Sequence, residues 1–181
     1  MAESELVEVR VQSLGLDRTS NTPVVILQEK DGSRVLPIWI GPGEASAIAM
    51  ELAGMKFSRP LTHDLFASVI LGMGGSLKRV VISRVVENTY FAELNIQRGH
   101  ELISIDARPS DSIAIGLRMS AAIFASESLL EISSVEVAET EGIEGAGEVD
   151  TKGGTSGGLS AEELREHIRR LNPEDFGRFN P

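Results

Sequence analysis

Apolar and polar residues alternate along Leu6-Val7-Glu8-Val9-Arg10-Val11, a period of two that predicts a half-buried strand. Two further strands, Pro23 to Gln28 and Val35 to Ile40, flank the turn signal Asp31-Gly32 and predict a hairpin. The period then changes. Pro42 suits the first turn of a helix, where its missing amide hydrogen costs nothing, and Ala45 to Leu52 supply helix formers up to Gly54. A second helix is predicted from Thr62, read as its N-cap. Leu65, Phe66, Val69, Ile70 and Met73 form its apolar face, and Gly72-Met73-Gly74-Gly75 stops it. Downstream, strands are predicted near 78–86, 90–96 and 101–106, then a helix from Pro109 to about Met119. Ala122-Ile123-Phe124 and Leu129-Leu130 read as a short strand and a helical turn that close the core.

The second set of elements repeats the first. Residues 21–52 align without a gap on residues 88–119, at a constant offset of 67. Asn21/Asn88, Leu27/Leu94, Gly32/Gly99, Ile38/Ile105, Pro42/Pro109 and Ile48/Ile115 are among the identical pairs, and Glu44 answers Asp111. The expected fold is therefore α+β: an internal duplication of a βββα(α) unit, with a mainly antiparallel sheet and helices packed on it. Gly32 and Gly99 are expected in equivalent turns, and Pro42 and Pro109 at the start of equivalent helices. Polar features confined to one half are not explained by a shared scaffold. Where the first half reads Trp39-Ile40-Gly41-Pro42-Gly43-Glu44, the second reads Asp106-Ala107-Arg108-Pro109-Ser110-Asp111.

Composition divides the chain. Residues 1–133 are expected to form one domain, with halves at about 6–75 and 76–130. Residues 134–158 read as an acidic, Gly-rich linker, and 159–181 as a C-terminal helix and tail. In that last segment Ser160-Ala161-Glu162-Glu163 is a capping box with Ser160 as the cap, and Leu164, Ile168 and Leu171 share a face. The formal net charge of -10 is concentrated: residues 131–158 hold seven acids against one lysine. Such a stretch is ordinarily a solvated tether, and a sharper reading makes it compete with phosphate for basic groups of the domain. Cysteine is absent, which excludes disulfides and thiolate chemistry. No apolar run is long enough to span a membrane and the N-terminus is acidic without an apolar signal core, so a cytoplasmic location is expected.

Two clusters carry candidate chemistry, each at a helix entrance, where backbone amides and the helix dipole favour anions. In the first, Arg108 and Ser110 are placed to bind phosphate, while Asp106 and Asp111 are candidate metal ligands for Mg²⁺ or Mn²⁺. In the second, Arg59-Pro60-Leu61-Thr62-His63-Asp64, His63 is a candidate general base, Asp64 its orienter or a metal ligand, and Arg59 a phosphate contact. The competing structural reading makes Glu44, Thr62 and Asp111 helix caps and Asp64 a first-turn acid favoured by the dipole. There is no HExxH, P-loop or dinucleotide fingerprint, which lowers the case for zincin and nucleoside-triphosphatase chemistry.

Three stretches occur in order: Leu36-Pro37-Ile38-Trp39-Ile40-Gly41 with Glu44-Ala45, Arg59-Pro60-Leu61-Thr62-His63-Asp64-Leu65, and Asp106-Ala107-Arg108-Pro109-Ser110-Asp111-Ser112-Ile113-Ala114. Together they resemble the signatures of the bifunctional nuclease domain family. The resemblance covers about Leu6 to Leu130 and implies a compact α+β domain, a homo-oligomer and a nuclease acting on RNA and DNA. The catalytic set His63, Asp64, Asp106, Arg108 and Asp111, with metal at Asp64, Asp106 and Asp111, follows from the residue chemistry. Single-stranded RNA or DNA is the expected partner. The alternative is a non-catalytic homo-oligomeric scaffold or regulatory module, which the acidity of the chain favours.

Overall fold

The alternating and helical patterns become ten principal elements in the computed structural model, which describes residues 5–17 and 20–133. In order they are β1 (Leu6–Leu16), β2 (Pro23–Glu29), β3 (Val35–Trp39), α1 (Pro42–Leu52), α2 (Thr62–Gly72), β4 (Gly75–Val86), β5 (Thr89–Arg98), β6 (Glu101–Ala107), α3 (Pro109–Arg118) and β7 (Ala122–Ser126). Residues 127–133 are also helical. The strands form one sheet ordered β3-β2-β1-β7-β4-β5-β6. Each group of three is an antiparallel meander. The last strand, β7, lies between them, antiparallel to β1 and parallel to β4. This is the expected α+β architecture.

Alternation places Val25, Leu27, Leu36 and Ile38 from one meander and Val80, Ile82, Ala92 and Leu94 from the other in a single apolar core. Ile48 from α1 and Ile113 from α3 join them with no exposed surface. Each fully buried Val, Leu or Ile among them contributes roughly 1.5–3 kcal/mol relative to leaving it in water. The helix α3 approaches the sheet closely at Gly116, where a Cβ would lie 2.9 Å from Val80 Cγ2. Helices α1 and α3 also pack on each other, which brings their N-termini together.

The two meanders correspond in strand order, and Asn21 and Asn88 both take positive φ, 53° and 60°. Their hairpin tips do not match. Gly99 has φ +59° at the first position of a two-residue turn between Arg98 and Glu101, as a tight hairpin requires. Gly32 has no positive φ and sits in a longer loop closed by the Glu29 amide on the Arg34 carbonyl. The expectation of equivalent glycine turns therefore fails, because the two loops differ in length.

Other corrections concern α2. Its N-cap is Leu61, and Thr62 is the first helical residue. Asp64 does the capping, accepting the Leu61 amide on Oδ2 at 2.9 Å. Only Ala67 and Ile70 of α2 are buried. Leu65, Phe66, Val69 and Met73 of the expected apolar face stay exposed. The acidic linker, Ser160 and the C-terminal helix fall outside the described residues. Among the described residues, no helix is long and apolar enough to cross a membrane.

Candidate active site at the helix entrances

Three helix entrances meet at one place. The first turn of α2 supplies His63, the residue entering α3 is Arg108, the first turn of α3 holds Asp111, and the first turn of α1 holds Glu44. His63 Nε2 lies 3.1 Å from Asp111 Oδ1, and Arg108 Nε donates to Asp111 Oδ2 at 2.8 Å. Arg108 Nη1 reaches Glu44 Oε1 at 2.9 Å. The result is a continuous chain, His63–Asp111–Arg108–Glu44, whose imidazole is only 16% exposed while the guanidinium is 66% exposed. At its Arg108–Glu44 end lies a crevice of about 270 Å³ bounded by Trp39, Gly41, Glu44, Tyr90, Arg108 and Ser110; His63 and Asp111 are not among the lining residues.

Chemistry follows from who can donate. An ionised carboxylate only accepts, so the His63 nitrogen facing Asp111 carries the hydrogen and Nδ1 is left as the basic nitrogen. Burial, the largest single influence on Asp111, pushes its pKa up. The bonds and charges of Arg108 and His63 outweigh it, holding the carboxyl below its ordinary value. Arg108 is raised in turn, mainly by its bond to Asp111. The acid is thus kept ionised, which fixes the imidazole orientation.

Neither Glu44 nor Asp111 caps its own helix through a side-chain bond, contrary to the capping reading, because both carboxylates are turned to Arg108. Asp64 is committed elsewhere: Oδ2 accepts the Leu61 amide and Oδ1 accepts Nε–H of Arg118. Asp106 is exposed on β6 opposite Glu93. Strand alternation sends it away from Ile103 and Ile105 and so to the sheet face opposite the core. Asp64, Asp106 and Asp111 consequently do not form the expected metal site. Among the described residues no group of three His, Asp or Glu side chains is placed to hold a metal ion. Arg59 is exposed in the loop before α2, and the side chain that meets His63 is Asp111. Ser110 is 7% exposed and lines the crevice.

The sequence reading missed Arg118. This side chain is 6% exposed and donates to Asp64 on α2, to the Ala114 carbonyl on α3 at 2.9 Å and to the Ala47 carbonyl on α1 at 3.2 Å. It therefore clamps all three helices that carry the site. A signal existed: the offset of 67 pairs Arg118 with Glu51, and these opposite charges approach to 3.9 Å across the α1–α3 contact.

With this geometry in hand, comparison with known proteins is informative. A family model described as the bifunctional nuclease domain matches residues 25–138. The chain belongs to the bifunctional nuclease domain family. A protein of Mycobacterium tuberculosis, named only as uncharacterized, is 38% identical over 169 residues, covering 93% of this chain and 97% of the relative. Bifunctional nuclease 1 of Arabidopsis thaliana is 26% identical over 141 residues, 76% of this chain and 42% of the plant protein. Bifunctional nuclease 2 of Oryza sativa subsp. japonica is 29% identical over 111 residues, 59% of this chain and 34% of its own length. The matched region of this bifunctional nuclease domain includes His63, Arg108 and Asp111, and so the whole chain of contacts just described.

Proposed function

We propose that this bifunctional nuclease domain hydrolyses phosphodiester bonds of RNA, DNA or both, with single strands as the substrate form. The observation that carries this reading is the His63–Asp111–Arg108 relay, whose arginine end lines an open crevice. His63 Nδ1 accepts a proton from the attacking hydroxyl, a water or a ribose 2′-OH, as its oxygen bonds to phosphorus and the phosphorus–oxygen bond to the leaving sugar breaks; the departing alkoxide takes a proton from solvent. Asp111 holds the ring in the required tautomer and stabilises the imidazolium that forms. Arg108 uses Nε and Nη1 within the protein, which leaves Nη2 for a non-bridging phosphate oxygen, assisted by the amides that open α3. An aqueous divalent ion accompanying the nucleic acid fits this reading as an accessory. No step is assigned to a metal on Asp64, Asp106 and Asp111, because those carboxylates do not converge.

The test is cleavage of end-labelled single-stranded RNA and DNA by the full chain, with Mg²⁺ and after chelation. His63→Gln is expected to lower turnover by about 10²–10⁴-fold, the usual worth of a general base. Arg108→Met is expected to raise KM and weaken salt-dependent binding. Wild-type rates retained in His63→Gln would remove the imidazole from the mechanism. The offset repeat is part of the same reading, with Asn21 and Asn88 supporting a duplicated βββα unit and the hairpin tips having diverged.

A second reading, a homo-oligomeric scaffold without catalysis, is favoured by one observation: the apolar residues exposed along α2. Wild-type protein that binds single strands but never cleaves them would select it.

A further inference from the structure

The crevice at the arginine end of the relay carries more polar groups than phosphate binding uses. Ile40, Tyr90 and Pro109 give it apolar walls, and Glu44, Arg108 and Ser110 bring polar groups to it. Ser110 has no polar counterpart in the first half, where the offset of 67 puts Gly43. Only 7% of Ser110 is exposed, and among the described residues its hydroxyl has no hydrogen-bond partner. The one side-chain polar atom among them that is both unpaired and sealed from solvent is Ser112 Oγ. The Ser110 hydroxyl therefore keeps an opening, and the crevice it lines is that opening. Side-chain polar atoms this deep ordinarily have partners, so an unpaired one at a crevice points to a ligand. Glu44 is the complementary acceptor. A carboxylate offers about four lone-pair directions, and Arg108 takes one of them on Oε1. The carboxylate lies over Gly41, where a Cβ would overlap Oε2. The Gly41 backbone is extended, φ -74° and ψ 158°, so a bare residue there provides room and not a special conformation.

We propose that the crevice is a nucleobase subsite selective for guanine, read on its Watson–Crick edge: the Ser110 hydroxyl donates to O6, and the Glu44 carboxylate accepts N1–H and N2–H. This rests on the reading of Arg108 as the phosphate contact, since the base belongs to the strand whose phosphate lies on the adjoining guanidinium. Size agrees with a single base. The volume of about 270 Å³ falls just short of the roughly 300 Å³ at which drug-sized pockets begin. Apolar walls suit the faces of a planar ring, while a few polar groups fix its edge.

The choice of guanine follows from its donors. Guanine alone sets two adjacent N–H donors beside an acceptor, and a carboxylate takes both at once. Adenine and cytosine set one amino donor beside a ring-nitrogen acceptor, and uracil and thymine set one N–H between two carbonyls. For these four bases the second carboxylate oxygen meets a lone pair. A bidentate contact of this kind distinguishes bases by roughly tenfold to a hundredfold. Single strands leave that edge free, whereas pairing occupies it in a duplex, so the subsite also accounts for the single-stranded form of the substrate.

Equilibrium binding of short fluorescent oligothymidylates to the full chain tests the subsite, with strand integrity checked on a gel. Each strand carries one central guanine, hypoxanthine or adenine, hypoxanthine being guanine without its 2-amino group. Wild type is expected to bind the guanine strand roughly tenfold to a hundredfold more tightly than the adenine strand, with the hypoxanthine strand between them. In variants the readout is the ratio of guanine to adenine affinity, which a uniform loss of phosphate binding does not move. Ser110→Ala is expected to lower that ratio. Glu44→Gln is expected to bring it near unity, as is Gly41→Ala, which keeps every polar group but displaces the carboxylate. If Glu44→Gln does not fold by circular dichroism, Gly41→Ala and the hypoxanthine strand decide, because the added methyl group meets only the flexible end of Glu44. Equal wild-type affinities for guanine and adenine strands, a hypoxanthine strand bound as tightly as guanine, or a ratio preserved in Gly41→Ala and Glu44→Gln overturns the subsite and leaves Arg108 as the phosphate contact. A wild type that binds none of the strands overturns both.

Discussion

Replacing Arg118 by Met keeps the apolar stem but removes the only guanidinium that touches all three site helices among the described residues. Its bond to the Asp64 carboxylate is of the charged kind, for which loss costs about 1.5–3 kcal/mol. Breaking a wholly buried ion pair costs about 3–5 kcal/mol, and that is an upper limit. Asp64 is 31% exposed, so water partly replaces the lost partner. The bonds to the Ala47 and Ala114 carbonyls add about 0.5–1.5 kcal/mol each at most, since helix carbonyls retain other partners. The expected loss is about 2–4 kcal/mol, or a fall in Tm on the order of 10 °C for a chain of this size. Urea unfolding followed by circular dichroism at pH 7 and fixed protein concentration measures it, with an unchanged m-value confirming that stability alone moved. A cycle with Asp64→Asn supplies the control: once Arg118 is gone, neutralising Asp64 should cost little or help. A midpoint equivalent to within about 0.5 kcal/mol of wild type, the range of ordinary surface substitutions, would refute the clamp. So would additive effects of the two changes.

Three further outcomes follow from the geometry. Asp64 and Asp111 both titrate below their ordinary value of 3.8 in the folded chain. Their contribution is therefore complete above that value and lost as pH falls through the lower folded values, so urea midpoints measured in steps below about pH 4 should decline less steeply in Asp64→Asn; a steeper decline would reverse the sign. Gly116→Ala gains about 1 kcal/mol of helix propensity but forces a methyl group against Val80 at 2.9 Å, an overpacking that costs about 1–3 kcal/mol, so Tm should fall, and a rise would show that Val80 can yield. Gly99→Ala places a side chain at φ +59°, and a loss of about 1–2 kcal/mol is expected by urea unfolding; an unchanged midpoint would mean the turn relaxes.

Most of the sheet was legible because one face of it is buried. The alternation through Val25, Leu27, Leu36 and Ile38 has no other explanation than a core on one side. The position of β7 was not legible, since a five-residue apolar run announces a strand but carries no record of its neighbours. On α2 the period showed an apolar stripe, of which Ile70 is buried and Leu65, Phe66, Val69 and Met73 are exposed. Periodicity reports that a face avoids water, not whether its partner belongs to the same chain. At the site, the meeting of His63 with Asp111 was foreseeable only as two helix entrances of similar chemistry. The displacement of Asp106 was within reach of the sequence, because Ile103 and Ile105 fix the inward side of β6 and leave the even-numbered residues outward. Arg118 was hidden by its type. A lone arginine at the end of a helix ordinarily serves the helix dipole in water, and only the packing of α1 on α3 made it internal.

The central place of β7 has a consequence for synthesis. The strand that joins the two meanders is the last of the sheet to leave the ribosome, so β1 and β4 emerge with unpaired inner edges and must wait for residues 122–126. Until then each meander is a separate three-stranded piece with an open edge of the kind that invites pairing with another chain. A nascent chain truncated before Ala122 should accordingly be protease-sensitive and aggregation-prone, and extending it through Ser126 should join the halves in a single late step.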